Sequence, residues 1–403
     1  MAAGGIVLKE YTDMKLIFTA DVNNDSETKK TIRTFAWASF LNDMGSDIIY
    51  PVWPLFVTGV LNANMAVLGF LDGLGEALVS ISQAAAGYLS DRIKKRKVFI
   101  WVGYLFGSLS RVGYAFSTVW QHLIPFRILD RAGKIRGAPR DAIIADISTN
   151  ENRGKHFGLL RTMDNLGAVC GIIICILFFR LLGYRNLFLL AAAPSAVGVL
   201  LILALIKERK SPGIKISKER SLKHLDKNLK LFLLVSALFA LGSFSYSFLL
   251  IYAKEFGFKL TFVPILYLIF TAFASIFSLP FGILADKIGR KEVLIVSFIL
   301  WGLVCIGFIL LRGYPTIILT FVLYGMHRGA LEPVQKTFIS ELAPTEYRAS
   351  TLGGFQMVIG LCALPASFIA GLLWDKISIL APFYFSLGLT ALSLVVLIFV
   401  KEK

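Results

Sequence analysis

Charge is scarce in this chain. Of 403 residues, 17% are Asp, Glu, Lys or Arg, against 56% hydrophobic. A soluble protein of this length would carry roughly a quarter charged residues and divide into domains, so a water-soluble globular architecture is excluded. Histidine occurs four times. The four cysteines (Cys170, Cys175, Cys305, Cys362) all fall in apolar stretches, with no CxxC spacing. That argues against a disulfide framework and against a Cys/His metal site; no metal and no other cofactor is expected. A phosphate-binding glycine loop is missing, and so is a nucleophile motif in a plausible context, so neither enzyme chemistry nor direct use of ATP is expected. Residues 1–30 lack an apolar core followed by a small-residue cleavage site, so no cleavable signal peptide is read there.

What is abundant is apolar sequence in long blocks. Twelve such blocks lie near 33–60, 66–90, 98–119, 121–147, 155–180, 184–206, 230–253, 262–285, 292–311, 314–341, 350–373 and 379–400. A bilayer-crossing helix needs about 20 such residues. The expected fold is an all-α integral membrane protein with twelve transmembrane helices in two pseudo-symmetric six-helix bundles. Its parts would be a tail at 1–30, a bundle at 31–206, a basic linker at 207–229 and a second bundle at 230–403.

The net charge of +16 is placed by topology. Basic residues cluster in alternate loops: Lys29, Lys30 and Arg33; Arg92 and Lys94 to Lys97; Arg153 and Lys155; Lys207 to Lys230; Lys287, Arg290 and Lys291; Lys401 and Lys403. Cytoplasmic loops carry this excess, so both termini are expected in the cytoplasm and the chain in the cytoplasmic membrane. No nucleic-acid partner is expected. The linker is expected chiefly as a solvated tether, with contact to anionic lipid headgroups as the second reading.

The two halves repeat. GYLSDRIKKRK from Gly87 is echoed by GILADKIGRKE from Gly282, 195 positions on. The same offset pairs Asp146 with Glu341, Arg153 with Arg348 and Gly158 with Gly353. An even number of spans per repeat gives both halves one orientation. The doubled loop has the form G-x-L-x-D-R/K-x-G-R/K-R/K. It is complete at Gly282, Leu284, Asp286, Lys287, Gly289, Arg290 and Lys291, while Lys94 replaces a glycine in the first copy. By this doubled motif, length and topology the chain resembles the major facilitator superfamily. The resemblance implies alternating access between two rocking halves and a central cavity lined by the first, fourth, seventh and tenth helices. A monomer is expected. On the fifth helix, Gly158, Gly167 and Gly171 keep the spacing of a drug-antiporter signature, but Ile172, Cys175 and Ile176 depart from it. Tight helix packing accounts for the three glycines equally well. On the fourth helix Arg127 matches an R-x-x-Q-G pattern that Asp130 and Arg131 break.

Charged residues inside these spans are costly unless they meet a partner or water. The stretch from Phe126 to Asp146 carries eight of them, so it must line a wet, enclosed path. At 1.5 Å per residue, Asp43, Asp130 and Arg131 lie roughly 15 Å deep. Arg127, Arg131 and Lys134 share a helix face, and Pro139 should kink the helix near Arg136. Asp43 and Asp47 are the candidate proton carriers, since a carboxyl in a low-dielectric cavity can load and release protons. The alternative is a permanent ion pair with Arg127 or Arg131. Candidate substrate-binding residues are Arg127, Asp130, Arg131, Lys134, Tyr246, His327, Arg328 and Glu332. The bland reading of His327 is a hydrogen-bonded core residue. Arg111 is expected to pair with Asp72 or Glu76. Gate residues are expected at Gly87, Asp91, Arg92, Arg96, Arg140, Asp146, Arg153, Gly282, Asp286, Arg290, Glu341 and Arg348.

The expected function is secondary active transport of a small organic solute, as proton-coupled efflux of the kind drug- and metabolite-exporting members perform. Proton-coupled uptake or exchange of an organic anion is the second reading, from the Arg127/Arg131/Lys134 face. A non-transporting membrane sensor or scaffold of the same fold is the alternative of another class.

Overall fold

The computed structural model of the protein describes residues 27–93, 95–149, 152–208, 226–311, 313–343 and 348–402. Most of the expected tail, linker residues 209–225 and the side chains of Gly87, Asp91, Arg153 and Arg348 lie outside that description. Among the described residues there is helix and no strand.

The first helix, α1, runs over 27–49, turns at 50–52, and resumes as Trp53–Leu55 and a π-helical Phe56–Val60. Pro51 and Pro54 cause this break, because proline lacks the N–H that a helix needs. The next helices are α2 (Met65–Ile93) and α3 (Lys97–Phe116). In α4, Leu123–Ala132 and Gly137–Asp146 flank a 3-10 turn, Gly133–Arg136. Pro139 cannot bond the carbonyl one turn earlier, and the helix tightens there. The helical stretch Arg153–Leu205 is interrupted at Gly183, whose φ of 65° and ψ of −174° suit glycine. It is thus two antiparallel spans, α5 before Gly183 and α6 after it. A straight helix of that length would reach about 80 Å, over twice the hydrocarbon thickness.

The second half follows the same plan. α7 is Lys227–Gly242 and Tyr246–Phe256, broken at 243–245. Then come α8 (Val263–Ile288), α9 (Arg290–Leu310), α10 (Tyr314–Leu342), α11 (Arg348–Lys376) and α12 (Ala381–Ile398). With α5 and α6 counted separately this makes twelve spans in two six-helix halves. By length and composition seven helical stretches of the described residues are apolar enough to cross a membrane, one of them the α5–α6 pair. The four spans outside that set are α1, α3, α4 and α10. These carry Asp43 and Asp47, Arg111, the Arg127-to-Asp146 series, and Arg328 with Glu332.

Packing inside the halves relies on small residues, as expected where lipid removes the hydrophobic drive between helices. A Cβ on Gly167 or Gly171 would press to within 2.3 Å of the Phe40 or Met44 carbonyl of α1. Helix packing thus accounts for both glycines. Arg111 is fully buried, and its expected carboxylate partners are not the ones it meets. Its guanidinium donates to the Ala191 carbonyl at 2.9 Å, the Asn42 carbonyl at 3.0 Å and Ser46 Oγ at 2.8 Å, and also to Ser195 Oγ. It clamps α1, α3 and α6 through neutral oxygens.

The repeat is visible as paired contacts at one end of the molecule. Arg96 bonds Asp146 at 2.5 Å in the first half; Arg290 bonds Glu341 at 2.9 Å and Asp286 at 2.7 Å in the second. Glu208 accepts the Arg96 and Lys97 N–H groups at the start of α3, and Glu402 those of Arg290 and Lys291 at the start of α9. A carboxylate there meets two free amides and the positive helix end. This end, rich in Lys and Arg, is the basic end. The other is the far end.

Candidate functional site

The halves meet along α2 and α11, which run antiparallel. A Cβ on Gly69 would fall 2.0 Å from the Ser367 carbonyl, and one on Gly73 would fall 2.6 Å from Leu364 Cα, so here backbone lies on backbone. At the far end Asp375 of α11 accepts the N–H groups of Met65 (3.1 Å) and Ala66 (2.8 Å), capping α2 across the boundary.

Deeper in, the boundary is held by Asp72 on α2. Its buried carboxylate accepts bonds from Trp53 Nε1 of α1 (2.9 Å) and Arg127 of α4 (2.8 Å). It accepts two more from the opposite half, Ser245 Oγ (2.7 Å) and Ser247 Oγ (2.5 Å) of α7. The break in α7 makes this possible. Ser245 is the N-cap of the outer segment, so its hydroxyl and that of Ser247 project together. The break in α1 contributes similarly. Pro54 leaves the Tyr50 carbonyl without its helical donor, and Tyr246 of α7 donates to it at 3.4 Å. Tyr267 of α8 donates to Asp47 of α1 at 3.2 Å. Among the described residues, the hydrogen bonds joining the halves cluster at this level and beyond it toward the far end.

Below that seal lies a cavity of about 390 Å³. Its α2 wall runs from Asp72 to Gln83, a rise of about 16 Å toward the basic end. Aromatic rings form much of the wall, with Tyr50, Phe244, Tyr246, Tyr267, Phe270 and Tyr324 among them. Four charged side chains complete it beside Asp72: Glu76, Arg127, Arg131 and Arg328. Arg127 stacks on Trp53 with its guanidinium carbon 4.5 Å from the ring centre, and Arg131 on Tyr50 at 5.3 Å. Gly75 makes room for both, since a Cβ there would stand 3.0 Å and 3.1 Å from their Nε atoms.

Among the residues expected to bind substrate, Arg127, Arg131, Tyr246 and Arg328 line this cavity. Asp130, Lys134, His327 and Glu332 are not in its wall. Asp130 lies 3.5 Å from Arg131, and Glu332 pairs with Arg328 along α10. Lys134 sits in the 3-10 turn of α4. His327 is buried among Trp301, Tyr324 and Phe239, with Nδ1 3.0 Å from Ser297 Oγ and 2.8 Å from the Ser297 carbonyl. This is the hydrogen-bonded core arrangement. The two proton candidates lie outside the wall as well. Asp43 takes a bond from Asn42 at 3.0 Å and has Arg136 at 3.9 Å; Asp47 takes the Tyr267 hydroxyl. Neither meets Arg127 or Arg131 in an ion pair.

The gate candidates gather at the basic end, and their described contacts stay within each half. Arg140 reaches Ser39 at 2.5 Å, Asp141 at 3.0 Å and Asp164 at 4.0 Å, all in the first half. Arg92 is exposed, and Gly282 has open space around it. Sequence reasoning named Asp72 and Glu76 only as alternative partners for Arg111. The available signal was two carboxylates one turn apart in a span otherwise nearly free of charge.

Residues 35–251 and 231–403 match the family model described as Major Facilitator Superfamily. The chain is 40% identical over 386 residues to an uncharacterised MFS-type transporter of Methanocaldococcus jannaschii, covering 94% of this chain and 96% of that one. It is 28% identical over 339 residues to the multi-drug resistance efflux pump PmrA of Streptococcus pneumoniae (78% and 82% covered). It is 25% identical over 375 residues to the quinolone resistance protein NorA of Staphylococcus aureus (90% and 94% covered). Among solved structures it is similar in fold to the nucleoside transporter NupG, with TM-score 0.77 at 16% identity over 92% of this chain and 100% of that one. An inward-facing, occupied bacterial homologue of the lysosomal transporter Spinster gives TM-score 0.69 at 14% identity over 92% and 93%.

Proposed function

The chain belongs to the major facilitator superfamily, a transporter rather than an enzyme, and we propose that it exports a small organic solute by alternating access, coupled to protons. The observation carrying this reading is the cavity between the halves, sealed on its far side by bonds that a rocking motion would break. With the basic end toward the cytoplasm, as the loop charges argue, the state seen here is inward-facing. Export is supported by the efflux pumps among its relatives. The membrane would be the cytoplasmic membrane, and the working unit a monomer in contact with its lipids.

Protons enter the cycle through Asp47, one of the carboxylates at the boundary. Asp47 and Asp72 each accept a hydroxyl from the other half. An ionised acceptor makes a bond roughly twice as strong as a neutral one. Protonation therefore weakens the seal and shifts the balance between the two states.

The test is accumulation in proteoliposomes. A mixed panel of metabolites, organic anions and lipophilic cations is offered with and without a pH gradient, and retained solutes are read by mass spectrometry. Gradient-dependent accumulation supports the reading. Accumulation indifferent to the gradient removes proton coupling. No accumulation, with no distance change between labels on the two halves, favours a non-transporting membrane protein of the same fold.

A further inference from the structure

We propose that the cavity is a site for an organic anion, held between the halves by Arg131 of α4 and Arg328 of α10, with Glu76 as its internal counter-ion. This deepens the transport reading and rests on it. Arg131 is 8% exposed, and its Nε is buried without a hydrogen-bond partner. Among the described residues its guanidinium makes no hydrogen bond; its contacts are Asp130 at 3.5 Å and the face of Tyr50. Its Nε is buried without a hydrogen bond, and the rest of the fork, facing the cavity, is free to donate to an acceptor there. Arg127 differs, because Asp72 already occupies it. Arg328 lines the same cavity from the second half; its side chain is 45% exposed there, even paired with Glu332. A carboxylate or phosphate suits the planar fork of either arginine.

Glu76 supplies the site's own negative charge. Its carboxylate lines the cavity, makes no hydrogen bond or ion pair among the described residues, and acts electrostatically on both Arg131 and Arg328. It neutralises the two cations from a distance without filling the forks. An entering anion takes the donors that Glu76 leaves free and is repelled by Glu76 itself. The apolar body of the solute would lie against Tyr246, Tyr267, Phe270 and Tyr324. Anchoring one anion to both halves also links binding to their relative motion.

The experiment uses the full chain in lipid nanodiscs and three probes that share one ring system: naphthoate, naphthamide and naphthylmethylammonium. Saturable binding of naphthoate is expected, with the neutral and cationic analogues at least about tenfold weaker. R131Q and R328Q should each weaken naphthoate roughly ten- to hundredfold and leave the cation unchanged. E76Q should tighten naphthoate severalfold. Thermal unfolding of each variant separates loss of the site from loss of the fold, and R131K keeps the charge while removing the fork. Naphthoate binding no tighter than the cation, absent at millimolar concentration in folded protein, or unaffected by both R131Q and R328Q overturns the proposal. Label distances between the halves are read on the same samples. Labels that still move while anion selectivity fails leave alternating access standing and remove only the anion.

Discussion

The Ser247 hydroxyl donates across the boundary between the halves to the Asp72 carboxylate, at 2.5 Å. One carboxylate thereby binds a helix of the second half and, through Arg127 and Trp53, two more helices of the first.

Asp72→Asn removes the charge that holds Arg127 and should lower stability by about 3 kcal/mol, since breaking a buried pair strands the other partner. The double variant Asp72→Asn/Arg127→Gln should regain most of that loss, because a neutral pair strands no charge. Thermal unfolding in detergent checks both. A double variant no more stable than Asp72→Asn alone would count against a pair-based account.

Ser247→Ala keeps the Asp72–Arg127 pair and touches only the seal. A hydrogen bond to a charged group contributes roughly 1.5–3 kcal/mol, here only to the state with the far end closed. Spin labels at Val119 and Lys376, on opposite halves at the far end, should report a larger separation in at least about a tenfold greater fraction of molecules. Labels at Lys155 and Lys287 on the basic end should move closer together in that same fraction. An unchanged pair of distance distributions would falsify the seal.

Asp375→Ala should act in the same direction but less. It removes the cap on α2 contributed by α11. Loss of a capping side chain costs about 1 kcal/mol, so the far-end-open fraction should rise roughly fivefold. The substitution Asp375→Ser, which keeps a capping oxygen, should restore most of the closed population in the same label-distance measurement.

Arg111→Lys should destabilise the first half about as strongly as Arg111→Gln, by roughly 3 kcal/mol or more, because buried acceptors on two helices lose their donor. Lysine carries the charge but cannot reach oxygens of α1 and α6 at once with a planar fork. The readout is the melting temperature of the purified protein. Full stability of Arg111→Lys would mean that charge, not geometry, is what the site needs.

His327→Gln should leave the pH profile of transport unchanged, because His327 sits outside the cavity wall, hydrogen-bonded to Ser297. A shift in the profile would make His327 a proton carrier.

Much of the architecture was legible in the residues. The twelve spans follow from hydropathy and the halves from the 195-residue offset. The helices α1, α4 and α10 stand apart in the sequence by their charges, and all three, with α7, contribute to the cavity wall. The roles of individual charges were less readable. Depth along a helix placed Asp43 and Asp130 near mid-membrane, but depth says nothing of which way a side chain looks or what stands opposite.

By itself, then, the sequence determined that this is a twelve-span, two-fold repeated membrane protein, because backbone hydrogen bonding in lipid forces helices and apolar length counts them. Only the tertiary structure decided that Asp72 is consumed as a tie between the halves, that Arg131 keeps idle donors in the cavity, and that Arg111 rests on neutral oxygens. Those outcomes depend on contacts between residues far apart in the chain. There, breaks in α1 and α7 and glycine-tight crossings of α2 and α11 bring the facing groups together.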